Sequence, residues 1–478
     1  MPTPVAEPGA RPDQPAGVRP GTVLAVVSAG VILSGVDLFI VNVALPPIGQ
    51  DLRVHDLADL SWLLNAYTVV FAALLVPAGR LSDRTNVKAG FLLGVAVFTV
   101  ASACCAVATS LPMLAAFRSV QAVGAALLTP TSLALLLAAY PPERRAAGVR
   151  LWTALGGMAA VFGPVLGGLL VQVSWRWVFI VNVPIGIAAI AAGLRLLPRP
   201  QGGGGRPDGL GTVMLIASVG AVTLALVQSA AWGWGSARVI GLLAGAAVVL
   251  ALLLRRSARH PWPVVETRLL RVPGTAAALV SMLLFSTAFG AMILSLVLLA
   301  ENTWGWSALH GGLAATPNAV LILPSAVLAG VLISRLAHGG AVAVALGCVL
   351  FSGGVAWWYL GVPEHPAYTP HLLGGLLLTG VGGGLAMPTL FGLATAGLPA
   401  HRFATGSGLV SMVRQIGLAL GVAVLVAVLG SPTGRVAVDD LRRGWLTVAV
   451  LTLVAAVPVL TQLHSRRPEN DGQEMPAK

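Results

Sequence analysis

Fourteen long apolar stretches, joined by short connections, fill almost the whole chain. Each is close to or above the ~20 residues that an α-helix needs to cross ~30 Å of hydrocarbon, and a spanning helix satisfies its own backbone hydrogen bonds. The spans fall near 22–46, 60–80, 88–108, 111–137, 147–171, 177–196, 209–229, 237–254, 275–300, 309–333, 340–360, 371–397, 403–429 and 444–463. The chain is 56% hydrophobic and only 10% charged, so its 478 residues do not divide into soluble domains. The expected fold is an all-α integral membrane protein with 14 transmembrane helices.

Charge gives the orientation. With the N-terminus in the cytoplasm, most of the 29 Lys and Arg residues fall in cytoplasmic tails and loops. This asymmetry follows the positive-inside rule and puts both termini in the cytoplasm of a bacterial inner membrane. Arg435, Arg442 and Arg443 fall on the outer side and are the misfits. The net charge of +12 therefore reports topology and contact with anionic lipid rather than nucleic-acid binding. Trp62, Trp175, Trp177, Trp232, Trp234, Trp304 and Trp306 lie near outer ends and read as an interfacial belt.

Several chemistries lack their residues. Cys104, Cys105 and Cys348 lie in apolar spans, and the eight histidines show no metal-ligand spacing, so neither a disulfide framework nor a metal is expected. A GxxxxGK[ST] phosphate loop is absent, and the connections 198–209 and 255–274 are too short to be catalytic or ATPase domains. An enzyme is not expected, and the only energy source anticipated is a proton gradient. Residues 1–21 form a Pro/Gly-rich tail that is expected to be disordered and uncleaved, and residues 464–478 form a second cytoplasmic tail.

An internal repeat organises the spans. A shift of 258 residues aligns Gly124–Leu151 with Gly382–Leu409, with 11 of 28 positions identical, among them Pro130 with Pro388, Arg144 with Arg402 and Gly148 with Gly406. The repeat implies a bundle of six helices over 22–196, an intervening pair within 197–274 and a second bundle of six over 275–463, a 6+2+6 arrangement. Parallel repeats of this kind let two bundles rock about a midplane site.

Only two acids, Asp37 and Glu301, fall within or at the end of a span. Asp37 sits mid-helix among apolar residues, where desolvation penalises its charge and makes protonation responsive to conformation. The competing reading is an acid permanently hydrogen-bonded to Asn42 or an arginine. Arg118 keeps its charge in the fourth span and must face a carboxylate, carbonyls or water. Arg414, in the thirteenth, has no counterpart in the repeat and is expected to tie helices together through carbonyls. Asp83 and Arg84 suit a conformational latch, in which the acid meets an arginine or a helix N-terminus across the two bundles. Gly163, Gly167 and Gly168 permit close helix approach, and Pro164 permits a kink.

These motifs carry a resemblance. Val36-Asp37-Leu38-Phe39-Ile40-Val41-Asn42, Gly79-Arg80-Leu81-Ser82-Asp83-Arg84 and Arg118-Ser119-Val120-Gln121 resemble the major facilitator superfamily. Gly163-Pro164-Val165-Leu166-Gly167-Gly168 resembles its antiporter motif, and Trp175–Pro184 and Ser407–Gly417 resemble its fourteen-span drug:proton antiporter branch. The resemblance implies a proton-coupled antiporter that exports lipophilic drugs or antibiotics by alternating access and works as a monomer. The alternative is a dedicated exporter or importer of one metabolite or lipid-like compound. Asp37 and Arg118 are the implied proton-coupling residues, and Gly79, Asp83 and Arg84 the latch; Glu301 is a second candidate for proton coupling, against the favoured reading of a solvated acid at the outer rim. Gly163, Pro164, Gly167 and Gly168 form the implied hinge, and Asn42, Gln121 and Arg414 are candidate polar lining. Glu301 stands where the branch commonly has Gln, which favours cationic cargo. After Asp83-Arg84 the family usually continues with Gly and more basic residues; Thr85-Asn86-Val87-Lys88 implies a weaker latch.

Overall fold

A computed structural model describes residues 20–54, 57–198, 208–266, 274–336, 338–396, 398, 402–430 and 436–465. Among them every regular element is helical. In chain order these are α1 (Pro20–Asp51), α2 (Leu57–Arg84), α3 (Val87–Ala106), α4 (Leu111–Ala139), α5 (Pro142–Val171), α6 (Trp177–Ile180), α7 (Asn182–Leu196), α8 (Gly209–Trp232), α9 (Ala237–Ser257), α10 (Thr275–Val297), α11 (Ala308–Arg335), α12 (Gly339–Gly361), α13 (Leu373–Thr395), α14 (Phe403–Leu429) and α15 (Val438–Ser465). π-helical turns extend α10 through Leu298–Thr303 and precede α13 at Tyr368–Leu372. Among the described residues, thirteen helical segments are long and apolar enough to cross a membrane. The span expected at 147–171 is occupied by α5, whose first third carries Glu143, Arg144, Arg145 and Arg150. Of the tail expected at 1–21, Pro20 and Gly21 already belong to α1; its other residues, the Gly202–Gly205 run, Arg435 and most of the C-terminal tail lie outside the described residues.

The helices pack through small residues because lipid offers no hydrophobic drive between apolar helices, so close backbone approach must supply the contact energy. α3 crosses α4 at Gly94 and Gly124, where a Cβ on Gly124 would sit 2.5 Å from the Phe98 nitrogen and 2.8 Å from the Gly94 carbonyl oxygen. α12 crosses α13 in the same way at Gly347 and Gly382. Gly124 and Gly382 are a repeat pair, as are Gly148, set against the Tyr140 ring, and Gly406, set against Leu398. One crossing and one turn thus recur 258 residues apart. α1 packs along α5, and α10 along α14. The earlier helices meet the later ones where α5 packs on α11 and α13 and where α2 and α4 pack on α14, while α8 lies on α2, α14 and α9.

Local chemistry sets several boundaries. Asn86 caps α3, its side chain accepting from the Ala89 amide at 3.1 Å, and buried Lys88 donates to the carbonyls of Leu194 and Leu197 at the end of α7, each at 2.8 Å. Asp208 caps α8, accepting from Gly211 at 2.9 Å and from Arg256 of α9 at 2.9 and 3.1 Å. Burial works against the Asp208 charge, but the Arg256 and Gly211 bonds outweigh it and hold the carboxyl below its ordinary range. The sixth expected span is divided at Val181, because Pro184 has no N–H to offer the Ile180 carbonyl. Two of the three arginine misfits have acidic partners. α15 begins six residues before the expected span, and in its first turns Arg442 pairs with Asp439 at 2.7 Å and Arg443 with Asp440 at 3.7 Å, so this end carries little net charge.

The tryptophan belt needs correction. Trp62, Trp177 and Trp234 are exposed, but Trp175 and Trp304 are buried anchors that donate to Asp51 Oδ2 at 3.0 Å and to the Pro363 carbonyl at 3.1 Å. Gly124→Val should lower detergent-solubilised thermal stability by the equivalent of about 1–3 kcal/mol, since its Cβ meets backbone that cannot yield. Gly241→Ala on α9, where nothing lies within 4 Å, should leave the melting temperature unchanged.

Candidate functional site

Asp37 lies near the middle of α1 and is fully buried. Its carboxylate is met only by donors. Arg118 Nη1 of α4 pairs with Oδ2, while Gln121 Nε2 of α4 and Asn182 Nδ2 of α7 donate to Oδ1 at 2.9 and 3.0 Å. Arg118 Nη1 also donates to Gln121 Oε1 at 2.7 Å. Ser102 Oγ of α3 accepts from Gln121 at 3.0 Å and Asn182 at 2.9 Å, and donates to the Phe179 carbonyl at 3.3 Å. The Arg118 guanidinium lies over the Tyr67 ring of α2, 4.3 Å from its centroid. Side chains from α1, α2, α3, α4 and α7 therefore converge on one ion pair.

The geometry fits an ionised acid. Both partners of the pair have no exposed side-chain surface, and a buried pair loses about 3–5 kcal/mol when one partner is removed, because the other is left uncompensated. Arg118 Nη2 has no hydrogen-bond partner. Without the Asp37 carboxylate, Arg118 would keep its amide, carbonyl and aromatic contacts but have no counter-ion.

A second constellation joins α2 to α14. Asp83 accepts from the backbone amides of Ala404 and Thr405 at 3.1 and 2.7 Å and from Thr405 Oγ1 at 2.6 Å. It thereby caps the N-terminus of α14, where unsatisfied amides and the helix dipole favour an anion. Gly79 allows the approach, since a Cβ there would strike the Ala404 carbonyl, and Gly408 does the same against the Leu75 carbonyl. Around the cap, Glu266 pairs with both Arg80, at 2.6 Å, and Arg402, and Arg84 donates to the Trp262 carbonyl at 3.1 Å. The segment after α9 is thus bonded to both sides of the α2–α14 contact.

The sequence matches the Major Facilitator Superfamily over residues 27–422. The chain belongs to that superfamily. It is 32% identical over 443 residues to the tetracenomycin C resistance and export protein of Streptomyces glaucescens, covering 89% of this chain and 81% of the relative. It is 33% identical to the cephamycin export protein CmcT of Amycolatopsis lactamdurans, covering 92% and 91%. It is 32% identical to the multidrug resistance protein Stp of Mycobacterium tuberculosis, covering 85% and 75%. Among solved structures, the human organic anion transporter MFSD10 has the same fold at a TM-score of 0.65 and 16% identity, covering 93% of this chain and all of that one.

Within this superfamily member, the residues singled out from the sequence separate into groups. Asp37, Arg118 and Gln121 are in direct contact. Asn42 stays out of the cluster: it is exposed and donates to the Leu38 and Phe39 carbonyls of its own helix at 3.4 and 3.3 Å. Glu301 is exposed in the π-helical extension of α10 and takes no part in the Asp37 cluster. Gly163 and Gly167 pack on Phe39 and Ile40, next to Asp37, whereas Gly168 faces Leu309 of α11. α5 is helical throughout, including position 164. Arg414 makes none of the carbonyl bonds expected of it.

Ser102, Asn182, Glu266 and Arg402 were not marked as functional by sequence. Asn182 lies inside the Trp175–Pro184 motif and Arg402 pairs with Arg144 in the repeat, so both carried a signal. Ser102 and Glu266 had none. Asp83→Ala should free the N-terminus of α14. In a background without native cysteines, a cysteine at position 407 should then react several-fold faster with a membrane-impermeant thiol reagent, measured by mass shift.

Proposed function

We propose that the chain is a proton-coupled antiporter that exports lipophilic drug-like or antibiotic molecules by alternating access. The reading places it in a bacterial cytoplasmic membrane, with 14 spans in a 6+2+6 arrangement and both termini in the cytoplasm. The bundles are those expected at 22–196 and 275–463, and it works as a monomer. The observation that carries it is the fully buried Asp37–Arg118 pair, held by Gln121, Asn182 and Ser102, in a chain whose relatives include antibiotic export and multidrug resistance proteins. An acid whose every neighbour donates to it is stable when charged. A proton delivered to it releases Arg118 and lowers the cost of rearranging the helices that meet there.

The Asp83 cap and the Gly79 and Gly408 contacts hold α2 against α14, which corresponds to a carrier closed on its cytoplasmic side. Opening that side must break the cap. Proton binding at Asp37 and release of the cap are then linked steps of one cycle, with Gly163 and Gly167 transmitting motion between α1 and α5.

The test is transport into inverted proteoliposomes under an imposed pH gradient, using a panel of neutral, anionic and cationic drugs. Wild type should accumulate at least one of them and collapse the gradient as it does so. Asp37→Asn should bind that compound within about threefold of wild type but lose gradient-driven accumulation by about two orders of magnitude. Accumulation by the mutant at the wild-type rate would remove Asp37 from coupling. If wild type moves none of the panel, the drug-export reading is replaced by the dedicated-metabolite alternative.

A further inference from the structure

Arg414 is a permanent cation near the middle of α14, about 16 Å along the helix from Phe403 at 1.5 Å per residue. A charge at this depth is costly unless it is paired or faces a polar cavity. Among the described residues it has neither an ion pair nor a hydrogen bond, and its Nε is a buried donor without a partner. Arg118, in α4, has a carboxylate, an amide, a carbonyl and an aromatic face. The two intramembrane arginines are therefore in opposite electrostatic situations.

The helix face that carries Arg414 looks into the molecule. Ser407, Ser411, Arg414, Leu418 and Val422 are spaced by four, three, four and four residues and form one ridge. At one end of the ridge Ser407 donates to the Pro130 carbonyl of α4, at 3.1 Å, so the ridge faces the first half of the chain. The opposite side of α14 packs through Ala419 and Ala423 on Leu226 of α8, while Gly417, Gly421 and the Leu418 backbone, next to Arg414 on the helix, pack on α10. Arg414 itself is half-buried, so its side chain keeps some accessible surface; Leu418, one turn above it, sets its backbone against Gly290 of α10, and Val422, two turns above, is 41% exposed. One turn below Arg414 the buried Ser411 hydroxyl lacks a partner, and so does the Ser286 hydroxyl of α10, whose Cβ abuts Gly417.

We propose that Arg414 is a cargo-binding residue that receives an anionic group, a carboxylate or phenolate, of an otherwise apolar substrate, with Ser411 as an accompanying hydroxyl donor. The chemistry follows from what the site lacks. A guanidinium offers five donors and a fixed charge, and an acid fills it with charge-assisted bonds worth roughly twice a neutral one. A cationic cargo would instead face an uncompensated like charge across low dielectric. Preference for acids reverses the cationic bias drawn from Glu301, which is exposed in the π-helical turn outside this ridge. The inference rests on the export reading and specifies the cargo class for it.

The test uses three probes on one aromatic frame: pyrenebutanoate, pyrenebutanamide and pyrenebutyl-trimethylammonium. Binding to the purified full-length protein is followed by energy transfer from its tryptophans, and transport is followed in proteoliposomes under a pH gradient. Wild type should bind the carboxylate about tenfold or more tighter than the amide, Arg414→Gln should bring the two within about twofold, and Arg414→Lys should keep part of the difference. Equal binding of acid and amide by wild type, or a preference that survives Arg414→Gln, overturns the proposal. If the glutamine variant does not fold, the wild-type preference and the lysine variant decide. Wild type that moves the amide or the ammonium but neither binds nor moves the carboxylate refutes the anion site while leaving export intact. Wild type that neither binds nor moves any of the three counts against the export reading, and this proposal falls with it.

Discussion

The structure depends on one desolvated ion pair. Asp37 and Arg118 have no exposed side-chain surface and are surrounded by apolar helices, so neither charge is tolerable without the other. That requirement fixes α1 against α4, and the remaining valences of the carboxylate and guanidinium bring in α2, α3 and α7. A single polar knot thereby orders the first half of the chain, in a medium where apolar surface alone would give no preferred neighbours.

The knot is connected mechanically to the contact between the two halves. Gly163 and Gly167 set α5 directly on the Asp37 segment of α1, and α5 runs along α11. α4 supplies Arg118 and Gln121, and its Pro130 carbonyl accepts from Ser407 of α14. α2 supplies the Tyr67 ring beneath Arg118 and, at its other end, the Asp83 cap on α14. Each route passes through backbone contacts too tight to deform continuously, which favours discrete alternative packings over gradual adjustment. The segment after α9 adds a brace through Glu266, which explains how a cap with few following basic residues still has several partners: Lys88 is engaged with the end of α7 instead.

Much of this was legible in the sequence, for a physical reason. Lipid makes a charge in a span expensive, so Asp37, Arg118 and Arg414 stand out against an apolar background, and helix lengths follow from membrane thickness. Arg118 was expected to face a carboxylate, carbonyls or water and meets the Asp37 carboxylate, whereas Gln121, expected as polar lining, joins the same cluster. Ser102 and Asn182 escaped because small polar residues are common in membrane helices and carry no charge to mark them. Glu266 escaped because a loop acid has no periodicity. Arg414 was visible but misjudged: sequence shows that a cation is present, while only packing shows that its carbonyl partners are missing. The two buried tryptophans failed the belt reading for the same reason, since position near a span end does not reveal burial.

The central claim is that the charge state of Asp37 sets whether α2 and α14 stay latched. Its most direct test is the distance between spin labels at Thr85 and Leu336, both exposed, measured by pulsed electron resonance in nanodiscs across pH. Acidification of wild type should raise the population with separated labels, and Asp37→Asn should give one distribution at every pH. An unchanged wild-type distribution, or a mutant that still shifts as wild type does, would contradict it.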